Sequence, residues 1–208
     1  MDITRAEASA AVGALGWRHV LNTLTTTVTV GSLAEAAEVA VAVAGVGDRL
    51  RVDLRPDRVI LRLQTPETMS VTSADVEAAR RISRAVATEP HAGTQSLEYA
   101  IDALDIGAVR PFWRAVLGYV DEPAPGTGLL DPLGQSPAVW FQQMDAPRPQ
   151  RNRIHLDISV AHDEAEARIA AALAAGGRLL SEDEAPAFWV LADGEGNEAC
   201  VSTWQGRD

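Results

Sequence analysis

Apolar and polar residues alternate through "RLRVDLRPDRVILRLQT" (Arg49 to Thr65) on either side of "RPDR", the period-two signature of a hairpin with one packed face. Leu50, Val52, Leu54, Val59, Leu61 and Leu63 form the apolar face, while Arg51, Asp53, Arg55, Arg58 and Arg62 mostly form the other. Ahead of it, "SLAEAAEVAVAVAGVG" carries Ser32 and, three residues on, Glu35, then an Ala/Val run closed by glycines; this predicts a helix with a capping box. Behind it, "TSADVEAARRISRAVA" starts at a Thr/Ser cap, has Asp75 in its first turn and repeats apolar residues at helical spacing. With "TTTVTV" preceding the first helix, the order is strand, helix, two strands, helix. Such an order predicts helices on one face of an antiparallel sheet.

The remainder of the chain repeats itself. "LEYAIDALDIGAVRPFWRAVLGY" (Leu97 to Tyr119) is an alternating strand, a loop with Asp105, a helix and Leu-Gly, and "IHLDISVAHDEAEARIAAALAAGG" (Ile154 to Gly177) follows the same plan. "LLDPLGQSPAVWFQQM" (Leu129 to Met144) matches "VLADGEGNEACVSTW" (Val190 to Trp204): strand, Asp-Pro/Gly turn, strand. Two strand–helix–strand–strand–strand units of about 50 residues each are predicted. The fold class is therefore α+β.

A length of 208 residues suits two domains of about 100 each. Residues 1–90 carry 11 acids and 10 arginines, whereas residues 91–208 carry 18 acids and 8. The shift falls beside "ATEPHAGTQS" (Ala87 to Ser96), so domains are expected at 1–90 and 94–208. A net charge of -11 argues against nucleic acid as partner, since phosphate binding needs surplus cations. One cysteine excludes an internal disulfide and fits a reducing cytoplasm. No secretory signal is read at the start, and "VAVAVAGVG" (Val39 to Gly47) is too short to cross a bilayer, so a cytoplasmic protein without membrane contact is expected.

From "GW" (Gly16–Trp17) to about Ala87, the strand pair, the short turn and the "T-x-x-D-V-E-A-A" helix resemble pterin-4a-carbinolamine dehydratase. The resemblance implies a dehydratase-like sheet with its helices, and a tendency to oligomerise. That family's chemistry uses a His-His-Pro segment before the hairpin and a Thr-His pair after it. Here those positions read "GVGDRL" (Gly45 to Leu50) and Thr65–Pro66, with Asp75 matching the helix-start aspartate. Proton transfer near neutral pH wants an imidazole, and none is present. The first half is thus expected as a degenerate, structural or oligomerising module.

The strings "FWRAVLGY", "NRIHLDISV" and "DGEGNEACV" resemble the vicinal oxygen chelate superfamily, closest to its glyoxalase-like branch, from Leu97 to Trp204. The resemblance implies paired βαβββ units wrapped into an open barrel around a cavity. In metal-binding members each unit supplies one ligand from its first strand and one from its last. The repeat maps these positions onto Glu98, His155 and Glu198, with Ser136 near the fourth. Two carboxylates and an imidazole suit Mn, Fe(II), Ni or Zn with open positions for substrate.

Trp140, Cys200, Trp204 and Ser136 are further candidates for contact with a small-molecule ligand, while Phe112 and Trp113 read as core. Cys200 also reads as an inert buried thiol. The "MDAPRPQRNR" connector (Met144 to Arg153) could cover the cavity mouth. Three functions stay open: a small-molecule-binding glyoxalase-like protein, a metal-dependent lyase, isomerase or dioxygenase, and a pterin dehydratase. The first is preferred.

Overall fold

Thr4 opens the first element. Its hydroxyl accepts the Glu7 N–H at 3.2 Å and its own N–H donates to the Glu7 carboxylate at 2.9 Å, a reciprocal cap that starts α1 (Arg5–Gly13). The computed structural model describes residues 3–90, 96–123, 126–147, 155–203 and 205–206. Its contacts divide the chain into two compact units, 1–96 and 97–208.

In the first unit α1 is followed by β1 (Arg18–Val20), β2 (Thr23–Thr29), α2 (Leu33–Val43), a single 3-10 turn, β3 (Leu50–Leu54), β4 (Arg58–Leu63) and α3 (Ser73–Ala85). The strands form one antiparallel sheet in the order β1-β2-β4-β3. The expected strand–helix–hairpin–helix order is present. Neither α1 nor β1 was legible: α1 is alanine-rich with little amphipathic contrast, and β1 has only three residues.

Register puts Leu50, Val52 and Leu54 opposite Leu63, Leu61 and Val59, so the six apolar residues do share one face. Val59, Leu61 and Leu63 are fully buried among Trp17, Leu24, Ala79 and Ile82, whereas edge-strand residues Val52 and Leu54 stay more than a third exposed. The Ser32 cap differs slightly from the expected box. Ser32 accepts the Glu35 N–H, but the Glu35 carboxylate reaches back to the N–H of Gly31.

The second unit runs β5 (Glu98–Ala103), α4 (Ile106–Leu117), β6 (Val120–Asp121), β7 (Leu129–Leu130), β8 (Ala138–Gln143), then β9 (Leu156–Ser159), α5 (Ala165–Ala174), β10 (Arg178–Ser181), β11 (Phe188–Ala192) and β12 (Glu198–Ser202). Both halves have the predicted strand–helix–strand–strand–strand plan. They also have the same sheet topology, β5-β8-β7-β6 and β9-β12-β11-β10, in which the first strand runs parallel to the fourth. Among the described residues no strand pairing joins the two sheets, so they do not form a closed barrel.

One apolar core serves both repeats. Ile101, Ala103, Val139 and Phe141 of the first sheet and Leu191, Ala199 and Val201 of the second pack with Val109, Phe112, Trp113 and Val116 of α4 and Ala165 and Ala172 of α5. Gly118 closes α4 at φ +69°, a left-handed conformation that glycine adopts without steric penalty. A Cβ there would also meet the Arg168 guanidinium at 2.9 Å; Arg168 reaches from α5 to the Val116 carbonyl at 3.2 Å.

The turns between the last two strands of each repeat are built on matching aspartates. Asp131 accepts the N–H groups of Leu133, Gln135 and Ser136, and Asp193 accepts those of Glu195 and Asn197. The second turn also links the repeats. The Glu195 carboxylate accepts from Leu104 N–H and Asp105 N–H, and buried Asp193 accepts the indole N–H of Trp113 at 3.0 Å.

Candidate functional site

Each sheet of the second unit turns one face into the core it shares with α4 and α5, and among the described residues neither helix packs on the other face. On the first sheet that opposite face carries Glu98 beside Ala138, Ala100 beside Trp140, and Asp102 beside Gln142, because parallel register neighbours point the same way. Ala100 is small, which leaves the Trp140 indole standing 41% exposed. On the second sheet the matching face carries Asp157 beside Cys200 and Ser159 beside Ser202, the two serine hydroxyls 3.0 Å apart. The alternation of this strand sets Leu97, Tyr99, Ile101 and Ala103 against Glu98, Ala100 and Asp102; burial follows it at Ile101 and Ala103, whereas Leu97 and Tyr99 at the strand's start are exposed.

His155 lies one residue before β9 and is exposed. Extending the β9–β12 ladder by one residue sets it beside Glu198. Its Nδ1 is 3.0 Å from Asp157 Oδ1 and 3.7 Å from Cys200 Sγ, and the ligating atoms of these three side chains all lie within 4.8 Å of one another. Cys200 is buried, while His155 and Asp157 are more than half exposed. Glu98 and Glu198 are both half-buried and are not members of this group.

Ser136 lies in the turn before β8, with its N–H on Asp131 Oδ2 at 2.8 Å. Register corrects its expected role as counterpart of Glu198. If Glu98 corresponds to His155, the residue across from Glu98 is Ala138, two positions further on. The cause is turn length. β8 begins seven residues after Asp131, whereas β12 begins five after Asp193, so counting from the aspartates misplaces the strand by two while preserving its face.

Burial pushes the Asp131 carboxyl up, but the N–H donors of Leu133, Ser136 and Gln135 and the Ser136 hydroxyl outweigh it and hold it below the ordinary aspartate value. Burial raises the nearby Tyr119 phenol, opposed by Ser136 and reinforced by Asp131 and Tyr99. Both effects belong to turn structure.

Phe112 and Trp113 are core, as expected, and half-buried Trp189 packs against the same core. Trp204 and connector residues 148–154 lie outside the described residues, so the expected ligand contact and mouth cover fall there. Asp157 was missed as a partner of His155; the signal was its place two residues on, where strand alternation returns to the same face.

In the first unit, the positions matched to the dehydratase site come together without imidazoles. The Asp75 carboxylate, fully buried, accepts the Thr65 and Thr72 hydroxyls at 2.7 and 2.9 Å, the Thr72 N–H at 2.7 Å, and Arg49 at 3.2 Å. All of this capacity goes into capping α3 and tying it to the hairpin.

Residues 98–202, just over half of the chain, match the family model described as a glyoxalase-like domain. The chain belongs to this glyoxalase-like family through its second unit. The match leaves residues 1–97 outside it, and nothing found supports the dehydratase resemblance there.

Among solved structures, the chain is similar to a glyoxalase/bleomycin resistance protein/dioxygenase family enzyme from Burkholderia phytofirmans PsJN, at 21% identity and TM-score 0.43 over 52% of this chain and 98% of that one. It is also similar to a glyoxalase-related enzyme from Fulvimarina pelagi, at 16% identity and TM-score 0.42 over 53% and 88% of the two chains. A third is the fosfomycin resistance protein FosX from Listeria monocytogenes, solved with Mn(II) and sulfate, at 11% identity and TM-score 0.43 over 56% and 95%. No curated protein matches the chain. No helix among the described residues is long and apolar enough to cross a membrane.

Proposed function

We propose that the second unit binds a small molecule on the helix-free faces of its sheets, with the first unit as a structural or oligomerising module. The observation that carries this is Trp140, 41% exposed on a strand face next to Ala100 and flanked by the carboxylates of Glu98 and Asp102. An exposed indole above a small residue is a stacking platform. The neighbouring carboxylates favour a ligand that is cationic or rich in hydrogen-bond donors. The ligand class is therefore a planar aromatic amine or a molecule of like chemistry. Titration of the full chain with planar aromatic amines tests it. Trp140→Ala weakens binding at least tenfold while Trp189→Ala, on the helix side, leaves it within twofold. Equal effects of the two substitutions would refute the assignment.

A second reading, metal-dependent chemistry at Glu98, His155 and Glu198, is favoured by the ladder extension that sets His155 beside Glu198. Three of the four family positions hold donors and Ala138 holds none at the fourth. A divalent ion such as Mn, Fe(II), Ni or Zn held by those three would supply Lewis acidity toward a ligand oxygen. Metal content of the purified chain beside Glu98→Gln and Glu198→Gln tests this reading.

A further inference from the structure

We infer that His155, Asp157 and Cys200 form a binding site for a thiophilic divalent cation of the zinc type, an alternative to the Glu98–His155–Glu198 set with which it shares His155. Three donors of different chemistry converge on one point. Asp157 Oδ1 stands 3.0 Å and Cys200 Sγ 3.7 Å from the same atom, His155 Nδ1. Nδ1 can donate to the Asp157 carboxylate or accept from the Cys200 thiol but not both at once, whereas a cation takes a lone pair from each of the three side chains.

The spacing fits such an ion. Zinc lies about 2.0–2.1 Å from imidazole nitrogen and about 2.3 Å from sulfur, so at tetrahedral angles N···S is about 3.6 Å and N···O about 3.4 Å. The N···O separation of 3.0 Å and the N···S separation of 3.7 Å lie within about 0.4 Å of those values, and the S···O separation is no more than 4.8 Å.

The backbone holds the donors in place. Asp157 and Cys200 are register partners on adjacent parallel strands, and His155 precedes Asp157 by two residues. Access is open, because His155 and Asp157 are more than half exposed while the thiol sits beneath them. Glu198, two residues before Cys200, is the next oxygen donor along β12; otherwise water completes the shell. A thiolate and an imidazole select zinc or cobalt over magnesium, calcium or manganese. Binding converts the thiol to a metal-bound thiolate and releases its proton to solvent.

The test uses zinc and cobalt ions with the full-length chain. Cobalt is expected to bind one per chain with thiolate-to-metal charge-transfer absorption, and zinc to displace it with proton release. Cys200→Ser should abolish that absorption and weaken zinc at least tenfold. Asp157→Asn, which leaves the buried thiol in place and so guards against a folding artefact, should weaken zinc severalfold. Cobalt binding without sulfur charge transfer, or charge transfer that survives Cys200→Ser, overturns the site. A tenfold zinc loss in Glu98→Gln with Cys200→Ser unaffected also overturns it, in favour of the glutamate set. Ligand stacking on Trp140 is read separately, so either conclusion can fail alone.

Discussion

Replacing Asp193 by Asn removes one charge and one acceptor from a fully buried junction, and the cost can be worked out. Oδ1 of Asp193 accepts the N–H groups of Glu195 and Asn197 at 3.0 and 2.9 Å, and Oδ2 accepts Trp113 Nε1 at 3.0 Å and Asn197 Nδ2 at 2.8 Å. In either orientation an asparagine turns its NH2 toward two of these donors. The Asn197 amide is half-buried and can turn to water; the Trp113 indole, 2% exposed, cannot. An orphaned buried donor costs about 1–3 kcal/mol, and hydrogen bonds to charged acceptors contribute about 1.5–3 kcal/mol, so Asp193→Asn should cost about 3 kcal/mol. Trp113→Phe removes the indole donor but leaves the carboxylate three others, at about 2 kcal/mol including lost packing.

In the double variant the indole donor that would face the new amide is gone, so the combined cost should fall short of the sum by about 1–2 kcal/mol. Hydrogen-exchange mass spectrometry on peptides covering α4 and the β11–β12 hairpin gives the local opening free energies. Additive costs, or a cost below about 1 kcal/mol for Asp193→Asn, would refute the claim that this carboxylate joins the two repeats. The turn it organises leads directly into Glu198 and Cys200, so the same variant should loosen the site.

Three further outcomes are expected. Asp75→Ala should destabilise the first unit by about 3 kcal/mol, because it leaves a buried cavity and removes the acceptor of the Thr72 N–H and the charge partner of Arg49; exchange in α3 reads this directly. His19 is held below the ordinary histidine value by burial and by Arg5, so the folded state binds the proton less readily than the unfolded chain. The penalty is absent above pH about 6.5 and grows as pH falls through the depressed folded value. Thermal melts should therefore show the parent losing stability relative to His19→Gln on acidification, and parallel curves would contradict it. Asp131 is depressed in the folded state, so its contribution is present above pH about 4 and is lost as pH falls through the folded value; the gap between parent and Asp131→Asn should close in that window.

The repeat, the second half of β5 and the apolar face of the β3–β4 hairpin were legible because strand alternation follows burial. Elements with no periodic contrast were missed, as α1 and β1 show. So was a turn-length difference, which displaced Ser136 by two residues from the strand position held by Ala138. The approach of Cys200 to His155 and Asp157 depends on register between strands about 40 residues apart in sequence, and a linear pattern carries face but not register.

Binding of a small molecule on the sheet face around Trp140 can be read by nitrogen-edited NMR of the full chain with a saturating planar aromatic amine. Shift changes are expected at the Trp140 indole N–H and at the backbone of Ala100, Asp102 and Gln142, lost in Trp140→Ala. Shifts confined to residues 3–90, or unchanged by that substitution, would contradict it.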